Sequence, residues 1–312
     1  MQLLKNTMVI FRTLSLAVSY AMKTGDLRYF TRYFGGDLRR FYQHVRSPAL
    51  LYLISFFIFA PAASAQSSSE SSPALHPLQD QSSNTLPEAL ASQCDNAITY
   101  DFFYRGSHIG QGTRSTQWQD NQASVTTEGK ISVLVFKNKG KQVTNIRWSE
   151  DQQQFLPTQF IRDIDGFSDA YVRATFSQDN LSSEVNLDGE KKYYKQESVP
   201  ITDMDAIALQ IQRNLQQGVS AFDFKMQRAE KVSHYYFQVR GQETVKIGNK
   251  QYQAWAVEQI KKKDRKLVMW FAPELEWQMV QAHYKRRILD ITATAVNYQS
   301  ACLAQPVNFA AK

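Results

Sequence analysis

The sequence predicts a mainly β domain: one strongly curved antiparallel sheet, either a half-barrel or an open barrel, with one amphipathic helix packed on it. Three observations predict this fold class. Apolar and polar residues alternate with a period of two from Asn96 onward, a single segment repeats its apolar residues at helical spacing, and the stretch from Cys94 to Cys302 is long enough for one generous domain. Hydrophobic residues make up 43% and charged residues 21% of the 312, which excludes a disordered or collagen-like chain.

The alternation is clearest in the first and last predicted strands. Ile98, Tyr100 and Phe102 share one face of the first strand, and Ile291 and Ala293 share one face of the last. Apolar residues on one face and polar residues on the other are typical of an antiparallel sheet with one face in water. The pattern predicts ten strands, over residues 96–104, 109–118, 123–136, 141–148, 222–228, 231–240, 252–260, 266–271, 277–284 and 288–298.

A helix is predicted over Thr202–Gly218. Its apolar residues fall on one face, Thr202 or Asp203 can cap its start, and Gly218 stands where a left-handed stop is expected. The helix macrodipole accounts for Asp203 and Asp205 in the first turn. A strongly curved sheet has to bury its inner face, so we expect the helix in the concavity of a half-barrel; a fully closed barrel is the alternative.

An export signal precedes the domain. Arginines come before an apolar block of twelve residues, 49–60, and small residues then lead to a cleavage site between Ala65 and Gln66. Twelve residues span about 18 Å as a helix, less than the roughly 30 Å hydrocarbon core of a membrane. We therefore expect a signal peptide in 49–65 that contacts the inner membrane, is cleaved after Ala65 and delivers the chain to the periplasm. The alternatives are an uncleaved inner-membrane anchor over 49–65 and, for the basic, aromatic extension 1–48, a later start of translation.

The formal net charge of +7 belongs to the leader. Of the 36 basic and 29 acidic residues, eight and two lie before residue 66, which leaves 28 and 27 in the rest of the chain. This nearly neutral body removes the electrostatic case for a nucleic-acid partner. Residues 66–93 hold eight serines and three prolines with few large apolar side chains. We expect a flexible linker there, followed by the β domain at 94–303 and a C-terminal tail at 304–312.

Cys94 and Cys302 are the only cysteines, and they stand at the two ends of the predicted domain. In an oxidising compartment such a pair is typical of a disulfide. A catalytic thiol is the alternative, although neither cysteine lies in a Cys-x-x-Cys sequence.

Catalytic and metal-binding patterns are missing from the sequence. It has no His-Glu-x-x-His, no paired Cys and His at ligand spacing, no Gly-x-Ser-x-Gly and no phosphate- or dinucleotide-binding glycine pattern. We therefore predict no catalytic residue, no metal site and no cofactor. Asp163, Asp165 and Asp169 form the most suggestive acidic cluster. A polar turn explains them, and a carboxylate-dependent hydrolase of envelope polymers is the alternative.

Aromatic residues are dense along the predicted strands. Most of them must belong to the core, but a curved sheet lined with aromatic side chains can also leave a groove for an acyl chain or a glycan. The candidate binding residues are Tyr235, Phe237, Trp255, Trp270 and Trp277.

Four stretches, in this order, resemble the exported bacterial family known as domain of unknown function 3108. They are the aromatic strand and glycine turn of 100–112, the Leu156-Pro157 element, the Asp-initiated helix of 202–211 and the Trp-x-Ala-Pro strand–turn–strand of 266–280. The sequence departs from the family at Met279, where the family normally has proline. The resemblance implies export and a β-rich, half-barrel fold loosely similar to periplasmic lipoprotein carriers. It implies no reaction, cofactor or catalytic residue.

These observations favour a non-catalytic protein of the cell envelope that binds an amphiphile or an envelope polymer in an aromatic-lined concavity. The partner would be a lipid or an envelope glycan. A hydrolase of envelope polymers and a periplasmic protein-interaction module tethered by the linker are the alternatives.

Overall fold

The computed structural model describes residues 93–133, 136–166, 169–287 and 289–309, and it confirms a mainly β fold with one α-helix on a large, curved, unclosed sheet. The predicted extension, the signal peptide with its cleavage site at Ala65 and Gln66, and the linker up to residue 92 lie outside these residues. In the described ranges, no helix is both long enough and apolar enough to cross a membrane.

The described ranges contain sixteen strands, where the alternation predicted ten. The first eight are β1 (Asn96–Tyr104), β2 (Ser107–Gln119), β3 (Gln122–Val133), β4 (Phe136–Ser149), β5 (Gln154–Gly166), β6 (Ala170–Phe176), β7 (Ser182–Leu187) and β8 (Glu190–Lys195). Then follow β9 (Ile201–Thr202), the helix α1 (Met204–Gln216), β10 (Ala221–Gln227), β11 (Val232–Ile247), β12 (Lys250–Ile260), β13 (Lys266–Ala272), β14 (Gln278–Arg286), β15 (Leu289–Ser300) and β16 (Val307–Asn308).

The sheet consists of two meanders joined at their first and last strands. Strands β1 to β8 pair in sequence, β10 to β15 do the same, and β1 pairs with β15 along its whole length in the antiparallel sense. The short β9 adds to β10 in parallel, and β16 pairs with β15. The two edges of the sheet are therefore β8 and β9, which are not hydrogen-bonded to each other.

Antiparallel strands divide the turns between two ends of the sheet. One end, the disulfide end, carries Cys94, Cys302 and the turns β2–β3, β4–β5, β11–β12 and β13–β14. The other, the far end, carries the turns β1–β2, β10–β11, β12–β13 and β14–β15. Cys94 and Cys302 form the expected disulfide, with their Cα atoms 5.7 Å apart. The bridge extends the β1–β15 ladder by two residues, because Asn96 stands opposite Ser300.

Helix α1 lies on the inner face of the sheet over β4 and β5, as expected. Asp203, not Thr202, is its cap: the carboxylate accepts a hydrogen bond from the Ala206 amide at 2.9 Å. Gly218 follows the helix with φ of 71°, a left-handed conformation that glycine adopts without steric cost. The helix and sheet share a hydrophobic core of Ala123, Val125, Ile146, Trp148, Phe155, Ala206 and Leu209.

Three glycines lie side by side across the inner face. Gly112 of β2, Gly129 of β3 and Gly140 of β4 stand opposite one another in register. The Phe102 ring packs on Gly112 so closely that a Cβ atom there would lie 2.9 Å from its Cε2 atom. Gly112 therefore gives the Phe102 ring room inside the concavity.

Residues 307–309, within the predicted C-terminal tail, pack on the domain. Strand β16 pairs with β15, and the Phe309 side chain, 3% exposed, meets the Tyr252 ring edge-on with a centroid distance of 5.6 Å. Gly248 in the β11–β12 turn lies under the Phe309 carbonyl, where a Cβ atom would come within 1.7 Å of the oxygen.

Candidate functional site

The structure does not gather the five candidate aromatic residues around one cavity. Tyr235 and Phe237 are core residues, with 2% and 3% of their surfaces exposed. Trp270 faces the opposite side of its strand from buried Phe271, since successive side chains alternate. Its indole nitrogen donates a hydrogen bond to Glu243 at 2.9 Å. Trp270 therefore does not share a surface with Tyr235 and Phe237.

Trp255 and Trp277 do come together. Their rings stack with centroids 6.5 Å apart and planes 28° from parallel. Trp255 stands opposite Phe271 in the sheet, and Trp277 lies in the turn that leads into β14. Trp277 lines a cleft at the disulfide end of the domain, and Trp255 supports its ring.

This cleft, the disulfide-end cleft, is the candidate functional site. It has a volume of about 310 Å³ and lies between the C-terminal half of α1 and the β13–β14 turn. Small-molecule sites in proteins start at about 300 Å³, so the cleft has room for one ring or a short chain segment. It is lined by Gln93, Cys94, Asn96, Trp118, Phe155, Leu209, Gln212, Arg213, Gln216, Glu276, Trp277 and Gln278.

The turn that carries Trp277 has an unusual backbone. Glu276 and Trp277 both adopt left-handed conformations, with φ of 54° and 59°. Positive φ is uncommon outside glycine and is an outlier for a bulky residue, and such strain persists where the surroundings fix it. Here the buried Tyr298 hydroxyl donates a hydrogen bond to the Glu276 carboxylate. The turn thus holds an aromatic face towards the cleft at a conformational cost.

Polar groups surround the aromatic faces of the cleft. The Arg213 guanidinium lies 4.1 Å from the centroid of the Trp148 ring, a cation–π contact that fixes its orientation. Gln212 donates to Gln278 at 3.1 Å, which ties α1 to the start of β14. The Gln93 side-chain nitrogen is buried and has no hydrogen-bond partner among the described residues. The cleft therefore offers amide and guanidinium donors next to flat apolar surfaces.

A polar row, buried at Gln142 and Arg162, lies next to the glycine row. Arg114, Thr127, Gln142 and Arg162 stand opposite one another across β2 to β5. Arg114 donates to Asp205 at 3.2 Å, and Arg162 donates to Gln142 at 2.8 Å. Burial lowers the pKa of the Arg162 guanidinium to about 10. The row ties the start of α1 to the sheet.

Asp203 and Asp205 form an acid pair against this row. The Gln142 amide donates to both carboxylates, at 3.3 and 2.8 Å. Burial, and after it the charge of Asp205, raises the pKa of the Asp203 carboxyl from 3.8 to about 7. The helix dipole predicts acidic residues in the first turn of a helix, but it does not predict that their side chains turn inward.

The acidic cluster considered for a hydrolase lies on the outer surface. Asp163 and Asp165 border a shallow groove of about 460 Å³, and Asp165 pairs with Lys139 at 2.7 Å, both side chains being exposed. Asp169 accepts a hydrogen bond from the Gly166 amide at 2.9 Å. Salt bridging and turn formation account for Asp165 and Asp169, so the geometry gives no support to a catalytic pair.

One group in the described ranges has the spacing of metal ligands. It consists of Cys94, Cys302 and Glu276. Both sulfur atoms belong to the disulfide, whereas a metal requires thiolates. With the bridge formed, the group does not fit a metal ion.

A family model described as "Protein of unknown function (DUF3108)" matches residues 99–295. The chain belongs to this family. The matched segment begins in β1 and ends in β15, so it includes α1, the acid pair and Trp277. This confirms the resemblance seen in the four sequence stretches. Both cysteines lie outside the DUF3108 segment.

Comparison of the DUF3108 fold with solved structures finds a match with the crystal structure of a beta-barrel-like protein of domain of unknown function DUF1849 from Brucella abortus. The two are 10% identical in sequence, the match covers 67% of this chain and 99% of the other, and the TM-score is 0.46. No curated protein matches the sequence.

Proposed function

We propose that this DUF3108 protein is exported to the periplasm and binds a segment of an envelope glycan in the disulfide-end cleft without changing it chemically. The observation that carries the proposal is the pairing of aromatic faces with fixed polar groups in that cleft. Trp118, Phe155 and Trp277 supply the faces, and Arg213 with the neighbouring amides supplies the donors and acceptors. Apolar walls with a few placed polar groups are the usual make-up of a small-molecule site.

The lining favours a glycan over the acyl chain of an amphiphile. Polar side chains outnumber apolar ones around the cleft, and an acyl chain would offer no hydrogen-bond partner to the buried Gln93 side-chain nitrogen, which has none among the described residues. A sugar ring offers an apolar face to a tryptophan and hydroxyl groups to the amides. The volume of about 310 Å³ suits one such unit of a longer polymer whose remainder stays in solvent.

Export rests on the leader and agrees with the disulfide. Disulfides persist in oxidising compartments such as the periplasm. We expect the mature chain to begin at Gln66, and the intact mass of protein isolated from the periplasm tests this. A mass that retains residues 49–65 would favour the alternative, a chain anchored to the inner membrane.

The binding proposal is tested in two steps. Native mass spectrometry of protein purified from its own envelope should show a bound species that digestion with glycan-degrading enzymes removes. Titration with a tetramer of N-acetylglucosamine, and separately with dodecanoate as the acyl probe, should then change the tryptophan fluorescence with the saccharide only.

Two matched variants locate the binding site. Trp277→Asn removes the indole and keeps a residue that tolerates the left-handed conformation, and it should weaken saccharide binding at least tenfold. Trp270→Asn removes an indole from the other side of the sheet and should leave the affinity within twofold. Repeated recovery of empty protein that binds neither probe contradicts the proposal. Cleavage of the saccharide would indicate the hydrolase alternative, and a bound protein would indicate the interaction module.

A further inference from the structure

Five basic residues meet at the far end of the sheet, on the opposite side of the domain from the disulfide-end cleft. They come from three neighbouring turns, β10–β11, β12–β13 and β14–β15, and we call them the basic cluster: Arg228, Lys231, Lys262, Arg265 and Arg286. The same described turns also hold three more basic residues, Lys261, Lys263 and Arg287, and two carboxylates, Glu230 and Asp264. The three turns therefore carry an excess of six positive charges in a chain whose body is nearly neutral.

The Asp264 carboxylate already forms ion pairs within this cluster. It accepts hydrogen bonds from Arg265 at 2.9 and 2.8 Å and from Arg286 at 3.0 Å. The bonds and charges of these two guanidinium groups lower the pKa of the Asp264 carboxyl to about 2. The arginine side chains are only 10% and 11% exposed, so Asp264 holds both of them in place at the far end of the sheet.

The two lysines lie where positive charge is unfavourable. Burial, followed by the charges of Arg228, Lys262 and Arg265, lowers the pKa of the Lys231 ammonium. Burial and then Arg265 lower the pKa of Lys262, whose Nζ atom lies 5.6 Å from the centroid of the Tyr235 ring. Cations that repel one another while partly withdrawn from water raise the free energy of the folded state. An anion placed among them would remove that cost.

We infer that the basic cluster is a binding site for a phosphate group. A phosphate carries about 1.5 to 2 negative charges and three strong acceptor oxygens, to which arginine and lysine side chains donate charge-assisted hydrogen bonds. The group could belong to an anionic lipid headgroup or be free phosphate, and the experiment separates these sources. The inference does not rest on the proposed glycan function, because the two sites lie at opposite ends of the domain.

The test uses the protein as its cells produce it. Thermal unfolding is measured with inorganic phosphate and with chloride at equal ionic strength. Co-sedimentation is measured with vesicles of phosphatidylglycerol in phosphatidylcholine and with vesicles of phosphatidylcholine alone. The cluster variant is Lys231→Gln with Lys262→Gln. The control variant, Lys246→Gln with Lys250→Gln, removes the same charge from exposed positions at the disulfide end.

We expect phosphate to raise the melting temperature of the natural protein and of the control variant but not of the cluster variant. The cluster variant should also melt higher than the natural protein in chloride, because the repulsion is gone; a purely structural role for the lysines predicts the reverse. Binding to phosphatidylglycerol vesicles as well as a phosphate shift identifies a lipid headgroup, and a phosphate shift alone identifies free phosphate. The inference is overturned if neither phosphate nor phosphatidylglycerol vesicles affect the natural protein, or if the cluster variant still melts higher in phosphate. It is also overturned if the control variant loses its phosphate response to the same extent as the cluster variant.

Discussion

Asp203 and Asp205 each direct a carboxylate oxygen at the same hydroxyl group, that of Thr144, at distances of 3.1 and 2.9 Å inside the domain core. A hydroxyl has one proton, so it can donate to only one of the two. The other interaction requires that a carboxyl group carry a proton of its own. Burial, and after it the charge of Asp205, raises the pKa of the Asp203 carboxyl to about 7, so the acid pair can hold this proton near neutral pH.

The acid pair predicts how stability depends on pH. In the unfolded chain the pKa of Asp203 is 3.8, and in the folded protein it is about 7, so the folded state binds more protons between these values. The contribution of Asp203 to stability is therefore fully present below pH 4, falls as the pH rises towards 7, and is lost above that.

Asp203→Asn removes this titration and keeps an acceptor for the Ala206 amide, since asparagine is also a good helix cap. Urea unfolding from pH 4 to pH 8 should show that the free energy of unfolding of the variant increases relative to that of the natural protein as the pH rises. Asp169→Asn, at an exposed position, is the control, and its curve of stability against pH should run parallel to that of the natural protein. Parallel curves for Asp203→Asn would mean that its carboxyl does not share a proton with Asp205.

The fold class follows from the sequence because burial of one sheet face imposes a period of two on it. The segment 154–195 escaped prediction for physical reasons. Strand β8 is an edge strand with charged residues on both faces, and its Tyr193 is 72% exposed, so no face is consistently apolar. Strand β5 contains Pro157 at a register shift, which breaks the alternation at its start.

The candidate site could be predicted only in part. Aromatic density identified Trp277, but it equally identified Tyr235 and Phe237, whose burial is decided by partners distant in sequence. Trp118, Phe155 and Arg213 join Trp277 only because the β1–β15 pairing and the position of α1 bring distant segments to one end of the sheet. The spacing of residues along the sequence does not indicate such contacts between distant segments.

The disulfide should stabilise the domain without shaping it. Its cysteines are 208 positions apart, and a loop of that size corresponds to about 5 kcal/mol in the chain-entropy treatment, an upper figure. Replacing both Cys94 and Cys302 by serine should lower the free energy of unfolding by up to that amount while leaving the circular dichroism spectrum unchanged. Titration of thiols in the denatured, unreduced protein is the companion measurement, and two free thiols would show that the bridge does not form in the cell.

The glycine row predicts a steric effect at Gly112. A Cβ atom there would lie 2.9 Å from the Phe102 ring and 3.2 Å from the Glu128 carbonyl oxygen. Gly112→Ala should therefore destabilise the domain by about 1 to 3 kcal/mol, the usual range for overpacking a core. Adding Phe102→Leu should recover part of the loss, measured by denaturant unfolding. If the stability loss of the double variant equals the sum of the losses of the two single variants, the contact with the Phe102 ring is not the reason that glycine is required.

The C-terminal segment provides the last prediction, because Phe309 closes the core where β11 and β12 extend beyond the rest of the sheet. Its ring packs on Tyr252, its amide donates to the Val296 carbonyl at 3.1 Å, and its own carbonyl lies over Gly248. Phe309→Ala should cost about 3 to 5 kcal/mol, the usual range for a buried phenylalanine. Gly248→Ala should also destabilise, because φ is 58° and the new methyl group would overlap the carbonyl oxygen.

A combined experiment shows whether Phe309→Ala and Gly248→Ala disturb the same contact between the C-terminal segment and the β11–β12 turn or two unrelated ones. If Gly248→Ala acts by expelling the C-terminal segment, it should cost little in a chain that already carries Phe309→Ala, where only the strain of the left-handed turn remains. Hydrogen exchange should then show faster exchange at β16 and at the β11–β12 turn in both single variants. Additive losses, with β16 still protected in Gly248→Ala, would show that the turn and the C-terminal segment do not depend on each other.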